Sequence, residues 1–544
     1  MIKAYKTLGI WALLFTAAAW KGLFIALDAI PFNSDEAVVG LMARHILIGE
    51  RPAFFYGQAY MGSLDAYLVA MSFSIFGTSI LAIRLVQMGL YLITIFLTYK
   101  ISCEIFNFKE TGLYSAALLS IPVVNLTLYT TASLGGYGEA MVIGCLLMYM
   151  IVKRIKSPAL QSNANSWREP IFWGLWGLLF GLGLWSNALS LVFGIPAGLA
   201  LFWDYLKKNK RISIIPIFYV LIGFLLGSLP WWIYAWRNGA DRLIFELFGS
   251  AVSVETGSLL SRLTAHLFNL IVLGGTVIFG IRPPWEVRWL ALPLIPAVLI
   301  FWTVVTYYWI KNTFVRNSKQ YWYLLLAGVP LTVCAGFLFT SFGADPSGRY
   351  FLPLAIPFAI IAGNFLVQRI PRLSYRIGIL VIIIVFNAWG TLDCAFHYPP
   401  GITTQFDSTT TIDHRYMKEL AIFLEEQGEF YGYSNYWVAY PLIFSSNEQI
   451  IFVPRLPYHL DFRITSRDDR YSPYTKIVSE SKKTAYITTR HPPLDSYLRE
   501  EFTHLQITWK EKYIGDYHVF YGLSAPVRPD QIGLGSITQG AGNE

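Results

Sequence analysis

Asn33-Ser34-Asp35-Glu36 sets two adjacent carboxylates just beyond the first long apolar run of the chain. Carboxylates beside lipid are costly to hold, so their presence invites a chemical role. At a membrane surface a carboxylate is suited to take a proton from an alcohol or amine while that nucleophile attacks a lipid-linked substrate. Part of the pair has a plainer explanation. Asn33 can cap a helix starting at Ser34, and Glu36, at the third helical position, completes a capping-box-like pattern and favours the helix dipole. Asp35 is not needed for that cap.

Three further stretches carry residue types suited to binding. In Gly135-Gly136-Tyr137-Gly138-Glu139 the glycines let backbone come close to another group, and Glu139 stands at a helix start; a tight interhelical turn explains the same pattern. In Gly343-Ala344-Asp345-Pro346-Ser347-Gly348-Arg349-Tyr350 the single cation, Arg349, has the geometry to grip a phosphate with two parallel hydrogen bonds, or to anchor a helix at the interface together with Tyr350. Phe55-Tyr56-Gly57-Gln58-Ala59-Tyr60-Met61-Gly62-Ser63-Leu64-Asp65 interleaves rings with Gln58 and Asp65, a mix able to stack on a sugar and bond its hydroxyls, or to form an interfacial aromatic belt. The histidines, among them His45, His491, His504 and His518, show no metal-ligand spacing. Cys103, Cys145, Cys334 and Cys394 are scattered and read as small apolar residues.

The elements that must position these residues are membrane helices. Of 544 residues, 55% are hydrophobic and only 14% charged, and the mean hydropathy is +0.47. Such values exclude an ordinary soluble domain, and the formal charge of +8 reads as cytoplasmic Lys and Arg setting topology, not as a nucleic-acid surface. Apolar runs at about 8–27, 80–100, 111–129, 138–152, 171–186, 189–205, 213–233, 290–310, 321–341, 350–368 and 377–392 suggest eleven spans. The first is long enough to span and is read as a helix, not as a cleaved leader. A shorter run, His266 to Gly280, is assigned to the interface, because only then do the basic clusters from Lys100 to Arg376 all fall on the side of the N-terminus.

On that count the N-terminus is cytoplasmic, and residues 28–79, 234–289 and everything after about 393 lie outside a cell (plasma or inner) membrane that the chain crosses many times. Two short helices, Glu36 to Ile48 and Leu64 to Phe76, are expected to lie along the outer surface. Residues 1–392 form the membrane module. Residues 393–523 change composition and read as a small extracytoplasmic α/β domain, with a helix near 413–427 and strand-like runs near 430, 450, 485, 510 and 517. Residues 524–544, rich in Gly and Pro, are expected to be a disordered tail.

Taken together, Ser34-Asp35-Glu36, Ala43-Arg44, Phe76-Gly77 with Arg84, Gly136-Tyr137-Gly138-Glu139 and Arg349-Tyr350-Phe351-Leu352-Pro353-Leu354 resemble, in order and spacing, the C-type polyprenyl-phosphate-dependent integral-membrane glycosyltransferases. That superfamily includes protein O-mannosyltransferases and the lipid A aminoarabinose transferase. The resemblance covers residues 1 to about 395, and the C-terminal domain by position only. It implies a helical bundle with a cavity open between membrane and outer face. Asp35 would be the catalytic base, Glu36 and Glu139 supporting acids, Arg349 with Tyr350 the donor-phosphate contact, and Arg44, Tyr56, Gln58, Tyr60, Asp65 and Tyr137 the cavity lining. It also implies an inverting displacement from a polyprenyl-phosphate sugar to a lipid, glycan or protein acceptor. No cofactor is demanded, although Asp35, Glu36 and Glu139 could ligate a divalent metal of the kind some relatives enlist. Where many relatives carry Pro-Pro-Leu or Lys-Pro, this chain has Tyr60-Met61-Gly62-Ser63-Leu64, so that segment supplies no cation. The rival reading, a transporter or flippase, calls for mid-span carboxylates and repeated halves, and neither is evident.

Overall fold

In lipid, long apolar stretches can satisfy their backbone polar groups only as helices, and here they do so. The computed structural model describes residues 2–156, 168–208, 214–247, 258–316, 319–345 and 347–534. Among these residues, eight helices are long and apolar enough to cross a membrane. The count becomes nine if Ile214–Gly227 and Leu229–Asn238, bent by 66° at their junction, form one broken span.

The expected eleven is therefore not the number observed. The 111–129 run is split into Lys109–Ser120 and Val124–Tyr129, because Pro122 has no N–H to continue the first helix. Tyr137–Lys156 is helical but carries Glu139 in its first turn and Lys153, Arg154 and Lys156 in its last. Conversely, the segment assigned to the interface begins earlier than its composition suggests. Ser258 caps it by accepting from the Ser261 N–H, and Leu259–Ile278 becomes a 20-residue candidate span.

The two short helices expected after the first apolar run form as Ser34–Leu47 and Leu64–Phe76, joined through a short hairpin of Phe54–Phe55 and Gln58–Gly62. They do not simply float on lipid. Ala37, Leu41, Val69 and Phe73 share one hydrophobic core with Tyr433, Tyr436, Ile443 and Phe444 of the C-terminal domain. Contact is close enough that a Cβ on Gly40 would sit 2.5 Å from the Phe444 ring. A larger residue there would push the domain away.

The C-terminal domain is built on a five-stranded sheet, in the order Ile451–Pro454, Tyr431–Ser434, Ala485–Thr489, Tyr517–Tyr521, Lys510–Ile514. The first three strands are parallel and the last two antiparallel. Met417–Gln427 packs Leu420 and Leu424 on one face, and Tyr436–Ser445, Ser472–Glu480 and Pro492–His504 complete the α/β layers. The first part of the expected tail is ordered. Val527, Ile532 and Leu534 are buried in the domain core, apolar side chains that the surrounding Gly and Pro conceal in the composition. Residues 535–544 lie outside the described residues.

A polar cluster closes the seam between the Ser34–Leu47 helix and this domain. His45 Nδ1 lies 2.9 Å from the Tyr56 hydroxyl and Nε2 lies 3.2 Å from Glu448 Oε2. Tyr474 donates to the same Glu448 oxygen at 2.8 Å, while Tyr56 and Tyr471 donate to Glu50 at 2.6 and 2.8 Å. Burial alone would raise the Glu448 carboxyl, but hydrogen bonds from His45 and Tyr474 and the nearby charges of His45 and Arg44 hold it below its ordinary 4.5. A carboxyl depressed in the folded state stabilises above its unfolded pKa, and that contribution is lost as pH falls through the folded value. The seam is thus expected to weaken in acid, below about pH 4.5. Thermal melts from roughly pH 5 to 3 should fall less steeply for Glu448→Gln than for the native protein. Parallel slopes would contradict a role for this carboxylate in docking.

Candidate functional site at the membrane–domain seam

Asn33 caps the Ser34–Leu47 helix by accepting from the Glu36 N–H at 3.0 Å. That cap puts Asp35 and Glu36 on the first turn, pointing in different directions. Asp35 is half-buried, and its Oδ1 accepts from the Tyr436 hydroxyl at 2.5 Å. Burial pushes the Tyr436 pKa well up, so the hydroxyl stays protonated and donates. Ser34 Oγ in turn donates to the Tyr436 carbonyl at 2.5 Å, clasping the two segments together. Among the described residues, Oδ2 of Asp35 makes no hydrogen bond.

Glu36 does something else. It is fully buried and takes a two-pronged ion pair from Arg84, with Nε and Nη2 each 3.0 Å from a carboxylate oxygen. Arg84 also donates to the Ile30 carbonyl at 2.9 Å. The expected capping box is thus only half formed, since the Glu36 carboxylate serves the guanidinium and not the Asn33 N–H.

Glu139 and Asp65 are also withdrawn from solvent, each 2% exposed. Asp65 accepts from Gln87 at 3.0 Å and from Ser133 at 2.5 Å, and Glu139 is packed beside Asp65 and Gln87. They brace the loop before the Tyr137–Lys156 helix. In that loop Gly135 and Gly136 adopt φ of +94° and +85°, and a Cβ on Gly135 would come within 2.9 Å of Met61 Sδ. Upstream, the buried Lys21 donates to the Thr130 carbonyl at 2.8 Å and to the hydroxyls of Thr130 and Thr131 at 2.6 and 3.0 Å.

Arg349 opens the last turn before the Ala355–Arg369 helix, behind Gly348 at φ +76°. Its guanidinium is ion-paired with Asp345 and lies 5.0 Å from the Tyr350 ring centre. Asn125 fixes the turn by donating to the Gly348 carbonyl at 3.1 Å.

Between these groups lies a cavity of about 590 Å³. Tyr60, Tyr137 and Tyr350 line one end, and the rest is walled by apolar side chains such as Phe180, Val192, Ile195, Val333 and Phe337. A second apolar cavity of about 350 Å³ continues past Phe180 and Ile195. Tyr60 is the shared neighbour of the polar end, where the charges of Arg349, Arg470 and Asp35 all act on its hydroxyl. With the Gln58 amide turned to suit its neighbours, its nitrogen donates to Tyr60 at 3.3 Å and its oxygen accepts from Arg470 Nη2 at 2.8 Å.

Of the residues singled out in the sequence, Asp35, Gln58, Tyr60, Tyr137, Arg349 and Tyr350 are thus gathered around one cavity end. Glu36, Glu139 and Asp65 are not: Glu36 and Asp65 are taken up by buried partners, and both Glu139 carboxylate oxygens are buried without a hydrogen bond among the described residues. Arg44 and Tyr56 also lie elsewhere, in the domain seam, where Arg44 donates to Asn447 at 2.8 Å and Tyr56 bonds Glu50. Asp35, Glu36 and Glu139 share no common ligand position, and no group of three or more His, Cys, Asp or Glu among the described residues could hold a metal ion. Two further residues belong to this end. Tyr436 lies in the aromatic run 431–437, which reads equally as an acceptor-selecting segment or as a buried strand and turn. Arg470 follows Arg467-Asp468-Asp469 and looks like part of a solvated charge cluster.

A family model described as dolichyl-phosphate-mannose-protein mannosyltransferase matches residues 63–234. No curated protein sequence matches the chain. Among solved structures, ArnT from Cupriavidus metallidurans bound to undecaprenyl phosphate superposes with a TM-score of 0.58 at 12% identity, covering 97% of this chain and 100% of that one. The same protein in the apo state gives 0.57 at 12% identity, covering 97% and 99%. The Archaeoglobus fulgidus oligosaccharyltransferase tethered with an acceptor peptide matches at 0.46 and 13% identity, covering 88% of this chain and 69% of that one. In fold, this chain is similar to the C-type polyprenyl-phosphate-dependent integral-membrane glycosyltransferases.

Proposed function

We propose that this chain is an inverting glycosyltransferase that moves a sugar from a polyprenyl-phosphate donor to an acceptor at the outer face of a cell membrane, with Asp35 as the base. One observation carries the reading: a half-buried carboxylate with one oxygen held and the other unoccupied stands at the tyrosine-lined, arginine-bearing end of a long apolar cavity. Apolar walls suit a polyprenyl chain, and the polar end suits its phosphate. ArnT bound to undecaprenyl phosphate, which shares the fold, supports that class of donor.

The chemistry follows from the charges. Asp35 Oδ2 takes the proton of the acceptor nucleophile as that atom bonds to the anomeric carbon. On the opposite face the carbon–oxygen bond to phosphate breaks, its electron pair stays on the phosphate oxygen, and the configuration inverts. Polyprenyl phosphate leaves with one more negative charge than the donor carried, so a fixed cation acts where charge develops. Arg349 and Tyr350 are the donor-phosphate contacts in this reading. The acceptor is a lipid, glycan or protein.

Arg349→Lys tests the phosphate contact, because it keeps a charge but loses the planar fork. Transfer from a synthetic short-chain polyprenyl-phosphate sugar should fall about tenfold or more in kcat/KM. Native kinetics in this variant would leave Arg349 as a helix anchor.

A further inference from the structure

Arg470 is a buried guanidinium with no bonded carboxylate among the described residues. It is 9% exposed, its Nε has no hydrogen-bond partner, and among the described residues it makes no ion pair. The groups against it are the Gln58 amide oxygen, the Tyr436 ring at 5.1 Å and the Phe55 ring at 5.9 Å, while the charges of Asp35 and Asp468 act on it without an ion pair. Aromatic faces offset part of the cost of burying a cation, but not as a carboxylate would. By contrast Arg84 is paired with Glu36, and Arg349 with Asp345. Arg470 therefore keeps a guanidinium with no carboxylate bonded to it, linked through the Gln58 amide to Tyr60 at the polar end of the cavity.

We propose that Arg470 is a second cation on the donor phosphate, supplied by the C-terminal domain across Tyr60 from Arg349. The inference rests on the glycosyl-transfer reading for the identity of the phosphate. Before reaction Asp35 and Asp345 balance Arg349 and Arg470, and the donor phosphate adds one negative charge. As the acceptor proton moves to Asp35, the departing phosphate gains a second negative charge, so the total is unchanged while charge shifts towards the two guanidiniums. Arg349 is bonded to Asp345, whereas Arg470 has an Nε with no hydrogen-bond partner, so Arg470 has a donor free to answer that shift. The C-terminal domain then forms one wall of the catalytic centre: its Tyr436 holds the base and its Arg470 receives the leaving group.

The test is binding of a synthetic short-chain polyprenyl phosphate, with the matching polyprenol as control, to the full-length protein in detergent. The native protein, Arg470→Gln and Arg470→Lys are compared, each with its thermal melt. Arg470→Gln should bind the phosphorylated lipid about tenfold more weakly or worse, with Arg470→Lys intermediate and polyprenol binding unchanged. If the glutamine variant does not fold, the lysine variant carries the comparison, and weakened binding is still expected. A folded variant that binds polyprenyl phosphate as tightly as the native protein overturns the proposal, even if transfer is lost, because Arg470 would then act on the acceptor side. Native protein that binds the lipid but transfers no sugar would remove the transferase reading while leaving this contact standing; native protein that does not bind it would remove both.

Discussion

Asp35→Asn should lower sugar transfer by about a hundred- to ten-thousand-fold, the range a positioned general base contributes, with little change in melting temperature. The side chain keeps its size and can still accept from the Tyr436 hydroxyl, so the clasp between the Ser34–Leu47 helix and the C-terminal domain survives. What disappears is the ability of Oδ2 to take a proton. Donor binding should be nearly unaffected, because the phosphate contacts proposed are Arg349 and Tyr350, and the loss should fall on kcat. Native turnover in this variant would remove Asp35 as the base. A large drop in stability would instead make it a docking residue.

Glu36→Gln should behave in the opposite way. It leaves the fully buried Arg84 guanidinium without its counter-charge, a change that costs about 3–5 kcal/mol when one partner of a buried pair is removed. A fall of many degrees in the melting midpoint is therefore expected, with activity lost through unfolding. Replacing both partners by apolar residues, Glu36→Met with Arg84→Met, should restore most of the stability, since no unpaired charge remains. If Glu36→Gln melts like the native protein but transfers poorly, Glu36 is chemical and not structural. The two adjacent acids thus have separable tasks, measurable as kcat for one and melting temperature for the other.

Much of this arrangement was legible in the chain. The Asn33 cap, the Ser34–Leu47 and Leu64–Phe76 helices and the strands of the C-terminal domain follow from local pattern, and local pattern is what sequence expresses. Pairings across long separations are not. Glu36 and Arg84 stand 48 residues apart and Tyr436 and Asp35 stand 401 apart, so nothing in either neighbourhood marks them as partners. Tyr56 and Asp65 look like part of a sugar-binding mixture because polar and aromatic side chains suit a domain seam or a buried brace as well as a ligand. Arg470 was hidden for a related reason: a charge beside two aspartates reads as solvated until the fold buries it. The helix count shifted at Pro122 and Ser258, where single residues end or begin a helix inside a smooth hydropathy profile.

The transferase and transporter readings part most cleanly in proteoliposomes loaded with a panel of synthetic polyprenyl-phosphate sugars and supplied with membrane lipids, glycans and proteins as acceptors. Mass spectrometry of the lipid fraction follows the donor. The expected result is acceptor-dependent release of polyprenyl phosphate, with the transferred sugar inverted at its anomeric carbon and no release by Asp35→Asn. Donor that is bound and crosses the bilayer intact, with no polyprenyl phosphate formed from any sugar in the panel, would contradict it.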